Sequence, residues 1–306
     1  MRIDEILADR GEPVFSFEFF PPKDDDGERR LFEALEQLRP LAPSFVSVTW
    51  GAGGSTREKT LDIVARIRAD HDLEAMAHFT CVGATVEELH SALRQMRDAG
   101  LENVLALRGD PPQGESAFVP AEGGLASSTE LVALVAGQYD FCIAAGAYPE
   151  VHPESRDHDS DLLHLKEKVD AGARVLITQL FFDNRDYFRF VERARAVQIE
   201  VPIVPGIMPI TNVAQIRRIT AMCGARIPVG LQAELERRAD EPAAVADLGV
   251  SYATLQCAQL LAGGAPGIHF YTLNRSPATR AILSALRLTR PWEKVSARGD
   301  AAVAVP

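Results

Sequence analysis

The chain has 306 residues, of which 46% are hydrophobic and 25% are charged, and its formal net charge is −11. This composition is typical of a globular protein with room for one large α/β domain, and it excludes an intrinsically disordered chain. The acidic charge excludes nucleic acid as a partner, because proteins that follow phosphates need clustered lysine and arginine.

The cysteines and the N-terminal residues indicate where the protein resides. The four cysteines are scattered without a C-x-x-C spacing, so the sequence predicts neither a disulfide framework nor a metal site. The first residues, MRIDEILADRGEP, carry charges where a secretory signal has an apolar run, and no stretch is long enough to span a membrane. We therefore predict a cytoplasmic protein without a membrane partner.

Short β-branched or aromatic runs alternate with longer amphipathic stretches along the chain. Eight of these runs are predicted to be strands: VFSFEF from Val14, FVSVT from Phe45, AMAHFT from Ala75, NVLALR from Asn103, FCIAAGAY from Phe141, RVLITQLF from Arg174, VPIVPG from Val201 and GIHFYT from Gly267. Strand and helix repeated eight times imply a parallel sheet, which closes most naturally into a (β/α)8 TIM barrel. The rival architecture is a doubly wound open sheet.

The predicted barrel occupies residues 1–290 as a single domain. The interval between the seventh and eighth strands, roughly 60 residues, exceeds one crossover and is predicted to hold an extra helix near PVGLQAELERRA. From about Pro291 the sequence has no apolar period, so residues 291–306 are predicted to form a loose C-terminal tail.

Polar residues collect at the carboxyl ends of the predicted strands, where TIM barrels carry their active sites. They are Glu18, Thr49, His78, Arg108, Asp110, Tyr148, Gln179, Tyr271, Asn274 and Arg275. A barrel without a site on this rim would scatter such residues over both ends. The pattern therefore favours a functional site at the carboxyl-terminal rim.

Glu18 lies between phenylalanines in the segment FSFEFF. Because side chains alternate along a strand, Glu18 and Ser16 are predicted to share the face that points into the barrel, while Phe15, Phe17 and Phe19 share the other. Near aromatic rings an uncompensated carboxylate loses hydration and its pKa rises, which suits a general acid working near neutral pH. The alternative is a salt bridge to Arg or Lys at the barrel mouth.

Two further motifs have simple structural explanations. TWGAGGST follows a strand and precedes a helix, but Thr56 occupies the third glycine position of G-x-G-x-x-G, so a tight turn explains it equally well. The three histidines of HPESRDHDSDLLH are spaced six residues apart, which matches no metal-ligand pattern. Asp161, His164 and Lys168 share one helix face, as solvated residues commonly do.

Nine segments of the sequence indicate a protein family more specifically than any single motif. They are FSFEFFPPK, FVSVTWGAGG, AHFTCVGAT, LALRGDPP, AYPEVHPES, LKEKVDAGA, ITQLFFD, IVPGIMPI and HFYTLNRS. In this order, from about Val14 to Leu288, they closely resemble the methylenetetrahydrofolate reductase family. The resemblance implies a barrel that holds FAD, takes hydride from NADH or NADPH, and reduces 5,10-methylenetetrahydrofolate to 5-methyltetrahydrofolate, which supplies methyl groups for methionine synthesis.

The resemblance also assigns roles to residues of this chain. It makes Glu18 the acid that helps to open the five-membered ring of the folate, and it places Asp110 between flavin and pterin, where a negative charge stabilises a cationic intermediate. The implied flavin contacts are Thr49, Trp50, His78, Leu107, Arg108, Gly109, Asp110, Ser128, Tyr148, His152, Asp161, His164 and Lys168. The implied folate contacts are Asp110, Gln179, Gln215 and Arg275, with Gln179 also facing the nicotinamide. Arg108 and Lys168 would direct positive charge toward the FAD diphosphate or the flavin ring.

Further expectations follow from the same resemblance. A single flavin that faces both donor and acceptor implies that the nicotinamide leaves before folate enters, and relatives of this kind associate as homo-oligomers. His164 stands where relatives often have Asn, and Ser128 where they often have Ala, which weakens these two flavin contacts. Because the chain ends soon after the barrel, we expect no inhibition by S-adenosylmethionine.

Three other function classes occur on barrels of this kind, and the first of them is disfavoured. A Schiff-base aldolase needs a lysine within or at the end of a strand, and none of the eight predicted strands contains one. A flavin-free pterin-binding methyltransferase module would share the folate site without needing His78 or Lys168, so flavin content separates it from a reductase. A noncatalytic binding barrel would tolerate Glu18→Gln with unchanged function.

Overall fold

The structure is a computed structural model that describes residues 1–9, 11–50, 56–111, 114 and 118–293. In these ranges the strands are β1 Val14–Phe19, β2 Phe45–Val48, β3 Ala75–Thr80, β4 Asn103–Leu107, β5 Cys142–Ala147, β6 Val175–Thr178, β7 Ile203–Val204, β8 Gly206–Ile207 and β9 Gly267–Tyr271. The α-helices are α1 Ile3–Ala8, α2 Asp25–Leu38, α3 Arg57–His71, α4 Val86–Asp98, α5 Ser128–Gln138, α6 His158–Asp170, α7 Asn184–Ala196, α8 Val213–Cys223, α9 Val229–Arg237, α10 Pro242–Ala262 and α11 Pro277–Thr289. A 3-10 helix, Arg39–Leu41, follows α2.

The strands form one parallel sheet in the order β7-β6-β5-β4-β3-β2-β1-β9-β8. β7 and β8 are two halves of the seventh predicted strand, divided at Pro205, which has no N–H to donate to the ladder. β7 pairs with β6 and β8 pairs with β9, so the divided strand joins both ends of the sheet. All eight predicted strands are confirmed, and the sheet is a (β/α)8 barrel rather than an open sheet.

β1 shows how alternate side chains divide between the two sides of the barrel wall. Its three phenylalanines are fully buried in the layer between strands and helices. Ser16 and Glu18 instead contact His269 of the neighbouring strand β9, inside the barrel. The predicted alternation in this strand is confirmed.

The amino-terminal end of the barrel is closed by α1. Ile3 and Leu7 pack in an apolar cluster with barrel residues such as Val14 and Met76. The backbone N–H of Ile3 also donates a hydrogen bond of 2.8 Å to Asn103 Oδ1 at the start of β4. Apolar contacts thus fill this end of the interior, and polar groups are left to the carboxyl-terminal rim.

The segment between β8 and β9 holds three helices, α8, α9 and α10, among the described residues. The predicted extra helix over PVGLQAELERRA is α9, which begins after Pro228. One crossover needs a single helix, so this connection carries two more than a minimal barrel unit. α8, α9 and the start of α10 share a separate apolar cluster beside the rim.

Two sequence predictions fall on residues outside the described ranges. These are most of the predicted tail, residues 294–306, and the glycine-rich turn at 51–55. In the described start of the predicted tail, the ring of Trp292 lies 5.8 Å from that of Phe15. The four cysteines are all free thiols. In the described part of the chain, no helix combines the length and apolarity needed to cross a bilayer.

Candidate active site

Glu18 lies in a buried cluster of polar side chains at the carboxyl end of β1. Its Oε2 atom is 3.2 Å from His78 Nε2 on β3 and 3.3 Å from His269 Nε2 on β9. The other ring nitrogen of His269 is 2.8 Å from Ser16 Oγ. Only 16% of the Glu18 side chain is exposed, so two imidazoles replace most of its hydration.

The pKa predicted for Glu18 from the sequence is wrong in direction. Burial alone raises the pKa, but the charge of nearby His78 and the hydrogen bond and charge of His269 outweigh burial and lower it from 4.5 to about 2. The prediction counted the phenylalanines of β1, whose side chains point away from Glu18. Among the described residues no Arg or Lys pairs with Glu18 either. An acid role therefore needs a proton held within the Glu18–histidine cluster rather than on an isolated carboxyl group.

Three interior polar atoms near this cluster have no hydrogen-bond partner in the described part of the chain. They are Ser47 Oγ, His78 Nε2 and Thr80 Oγ1. His78 Nε2 is close to Glu18 but is not aligned for a hydrogen bond, so its contact is an ion-pair distance only. Buried polar atoms are rarely left without partners in folded proteins. The wall formed by β2 and β3 therefore suits a bound molecule that carries donors and acceptors.

Of the predicted flavin contacts, Leu107 is the last residue of β4, and Arg108, Gly109 and Asp110 form the turn that follows it. Gly109 has φ +89°, and a Cβ atom there would lie 2.5 Å from Val82 Cγ1, so only glycine fits. The turn consequently passes close to the segment after β3. Arg108, directly before the glycine, donates to both carboxylate oxygens of Glu154, at 2.6 and 2.7 Å.

Tyr148 and Tyr271 connect the Glu18 side of the rim with the Asp110 side. Burial, followed by the negative charges of Asp110 and Asp161, raises the pKa of Tyr148 to about 12. Burial, followed by the charge of Glu18 and by Tyr148, raises the pKa of Tyr271 well above its ordinary value. Tyr148 is thus influenced by the Asp110 side of the rim, and Tyr271 by Glu18 and Tyr148.

Gln179 lies next to Tyr148 at the end of β6. Its backbone N–H donates to Ala147 O at 2.7 Å, and its side-chain Oε1 accepts from the N–H of Leu180. Gln179, Tyr148 and Cys223 line a small pocket on this side of the rim. Gln179 and Tyr148 thus face the same pocket.

The predicted residues of α6 and its preceding loop divide into two groups. Asp161 accepts a hydrogen bond of 3.1 Å from the backbone N–H of His152, and both lie near Tyr148, whose ring is 4.5 Å from that of His152. Burial lowers the pKa of Lys168, whose Nζ donates a long hydrogen bond of 3.4 Å to Gly146 O. His164, in contrast, points to solvent with 63% of its side chain exposed.

Five more predicted site residues lie on elements around the barrel. Thr49 and Trp50 follow β2, and the backbone N–H of Thr49 donates to Phe19 O at 2.9 Å. Ser128 begins α5, and Gln215 lies in the first turn of α8 with its side chain partly exposed. Arg275 is exposed in the turn after β9.

Sequence reasoning missed four residues that shape this site: Ser47, Thr80, Glu154 and His269. Alternation along GIHFYT offered a usable signal for His269, because it shares a strand face with Tyr271, which was identified at the rim. No local pattern points to Glu154, whose partner Arg108 is 46 residues away.

Comparisons with known proteins show which family the chain is similar to. The family model for methylenetetrahydrofolate reductase matches residues 2–287. The chain is 42% identical over 313 residues to Methylenetetrahydrofolate reductase (NADH) 1 of Arabidopsis thaliana, an alignment that covers 95% of this chain and 53% of the relative. It is 38% identical over 285 residues to 5,10-methylenetetrahydrofolate reductase of Escherichia coli (strain K12), covering 93% of this chain and 94% of the relative.

A solved structure also matches the fold. It is an uncharacterized protein from Clostridium thermocellum that binds two copies of 5-methyl-5,6,7,8-tetrahydrofolic acid, with a TM-score of 0.58, 15% identity and coverage of 94% of this chain and 99% of that one. The present chain spans about half the length of its plant relatives and nearly the whole length of the bacterial ones. From the family match and these identities, the chain belongs to the methylenetetrahydrofolate reductase family.

Proposed function

We propose that this protein reduces 5,10-methylenetetrahydrofolate to 5-methyltetrahydrofolate, with FAD as cofactor and NADH or NADPH as electron donor, and so supplies methyl groups for methionine synthesis. Family membership supports the reaction. The observation that carries the proposal is the buried cluster of Glu18 with His78 and His269, which three strands assemble on the rim where barrel enzymes do their chemistry.

The residues at the rim fit a flavin. Unpartnered polar atoms on β2 and β3 offer hydrogen bonds, and close packing of Gly109 against Val82 fixes the backbone beside Asp110. Lys168 is a partly buried cation whose Nζ makes a long hydrogen bond of 3.4 Å to Gly146 O, which suits an anionic group of the cofactor. The flavin would be held by Thr49, Trp50, His78, Leu107, Arg108, Gly109, Asp110, Ser128, Tyr148, His152, Asp161, His164 and Lys168. When bound, FAD supplies hydride transfer between nicotinamide and folate.

The protein's own groups would prepare the folate. Opening of the five-membered ring requires a proton on the departing nitrogen, and the cluster of Glu18 and its two histidines is placed to hold that proton. The negative charge of Asp110 would stabilise the cation that remains on the substrate. Gln179, Gln215 and Arg275 would bind and orient the folate.

The order of substrate binding, the catalytic domain, the oligomeric state and the location of the protein are also part of the proposal. Donor and folate would use the same site in turn, so the nicotinamide leaves before folate enters. We further propose that residues 1–290 are the catalytic barrel, that the protein forms a homo-oligomer and that it acts in the cytoplasm. The plant relative named for NADH makes NADH the first donor to test.

The visible spectrum of the purified protein tests the proposal. We expect the absorption of an oxidised flavin, bleaching on anaerobic addition of NADH or NADPH, and recovery on subsequent addition of methylenetetrahydrofolate. A comparison of the two donors at equal concentration gives the preference. Protein that binds folate yet neither contains nor takes up flavin would instead support the pterin-binding methyltransferase module.

A further inference from the structure

Glu154 is a carboxylate at the rim that none of the proposed contacts uses. It lies in the loop between β5 and α6, and its two oxygens accept hydrogen bonds from the two terminal nitrogens of Arg108, at 2.6 and 2.7 Å. A two-bond contact of this kind fixes the plane of the guanidinium as well as its position.

The Arg108 guanidinium is held from a second direction too. Its central carbon lies 4.9 Å from the ring centre of Phe118. The contact with Glu154 uses two of the five N–H groups of arginine, which leaves three for another acceptor. Arg108 is therefore oriented by protein groups while it keeps donors free for a ligand.

Glu154 is itself anchored to the flavin side of the rim. Its backbone N–H donates to His152 Nδ1 at 3.1 Å, and the backbone N–H of His152 donates to Asp161 Oδ2 at 3.1 Å. Glu154 thus ties the turn after β4 to the loop after β5 and to α6. All three segments carry residues proposed to contact the flavin.

Two effects of Glu154 on Arg108 oppose each other. The carboxylate partly neutralises the charge that would attract an anionic cofactor, but it also removes the need to order a flexible side chain on binding. Glu154 is 59% exposed, so water weakens its electrostatic effect on a ligand. Ordering one long side chain changes affinity by about 2- to 12-fold. The orienting effect is therefore the larger one.

We propose that Glu154 is a positioning residue for flavin binding, which acts by holding the Arg108 guanidinium in the orientation that the cofactor needs. This inference rests on the proposed function.

FAD titration of apoprotein tests this role without reference to turnover. The binding constant is measured by quenching of flavin fluorescence for the wild type, Glu154→Ala and Glu154→Gln. We expect Glu154→Ala to weaken FAD binding about 2- to 12-fold, the range for one newly mobile side chain. Glu154→Gln, which keeps one acceptor oxygen, should lie between Glu154→Ala and the wild type.

Two controls isolate the contact with Arg108. Glu236→Gln removes a comparably exposed carboxylate that pairs with Arg217 on α8 and should leave FAD affinity unchanged. In an Arg108→Ala background, Glu154→Ala should have no further effect, because the group it positions is gone. Equal melting temperatures of the apoproteins show that the variants are folded.

The outcomes separate this inference from the function on which it rests. Unchanged or tighter FAD binding by Glu154→Ala, or a loss that persists without Arg108, would overturn the positioning role and leave the reductase proposal standing. A wild-type protein that binds no FAD would overturn the proposed function and this inference together.

Discussion

At the scale of single residues, the chemistry of Glu18 depends on which residues neighbouring strands place beside it. We expect Glu18→Gln to lower the rate of folate reduction by about 10²- to 10⁴-fold, the usual contribution of a general acid. Flavin content and oxidation of NAD(P)H by an artificial acceptor should stay close to wild type, because neither needs a proton on folate. Stopped-flow measurement of the two half-reactions checks this, and normal folate turnover by the variant would exclude the acid role.

The low pKa of Glu18 also predicts how stability depends on pH. A carboxylate with pKa about 2 in the folded state and 4.5 in the unfolded state stabilises the fold above pH 4.5 and loses this contribution as pH falls toward 2. Between about pH 6 and pH 3, we expect the wild type to lose roughly 2 kcal/mol more unfolding free energy than Glu18→Gln. Urea titrations at both pH values measure the difference, and parallel losses would show that Glu18 is not stabilised by its histidines.

The local sequence predicts the direction of the Glu18 side chain but not its pKa. Alternation along one strand placed Glu18 inside the barrel, because the direction of a side chain depends on the local backbone. Its pKa depends on His78 and His269, which are 60 and 251 residues away in the chain. Nothing in FSFEFF identifies these neighbours.

At the scale of elements, two glycines within helices have the same helix propensity but differ in how closely other residues pack against them. A Cβ atom on Gly249 of α10 would lie 1.7 Å from Ile210 O, whereas nothing lies within 4 Å of one on Gly230 of α9. We expect Gly249→Ala to destabilise the protein by about 1–3 kcal/mol or more, because two backbones must separate. Gly230→Ala should be neutral or stabilising by about 0.5 kcal/mol. Chemical denaturation of both variants checks the contrast, and equal effects would contradict the close packing of α10.

Most elements follow from patterns within their own sequence. All eight strand runs and the helix α9 were predicted, because alternation, β-branched residues and helix stops act over a few residues. The division of the seventh strand at Pro205 was not predicted, although proline was visible in VPIVPG. The effect of Pro205 can be seen only in the closed barrel, where β7 pairs with β6 and β8 pairs with β9.

At the scale of the whole molecule, apolar side chains fill the amino-terminal end of the barrel, and the candidate site lies at the carboxyl-terminal rim. Ile3 is 1% exposed at the amino-terminal end, and Ile3→Ala should cost about 2–5 kcal/mol of unfolding free energy. FAD affinity should be unchanged, because the site lies at the other end. Leu288→Ala, at a side chain 86% exposed, is the matched control and should change stability by less than about 0.5 kcal/mol. Thermal melts and FAD titration of both variants measure these effects, and weaker FAD binding by folded Ile3→Ala would show that the two ends are coupled.

The amino-acid sequence by itself determined the succession of strands and helices, the inward direction of Glu18 and the collection of polar groups at one set of strand ends. These features depend on interactions over a few residues, and nine ordered motifs were enough to indicate the family. Only the tertiary structure decided that the ring closes through a divided strand, that two histidines keep Glu18 ionised, and that Glu154 holds Arg108. Each of these depends on which distant segments become neighbours, and closure of the barrel brings those segments together.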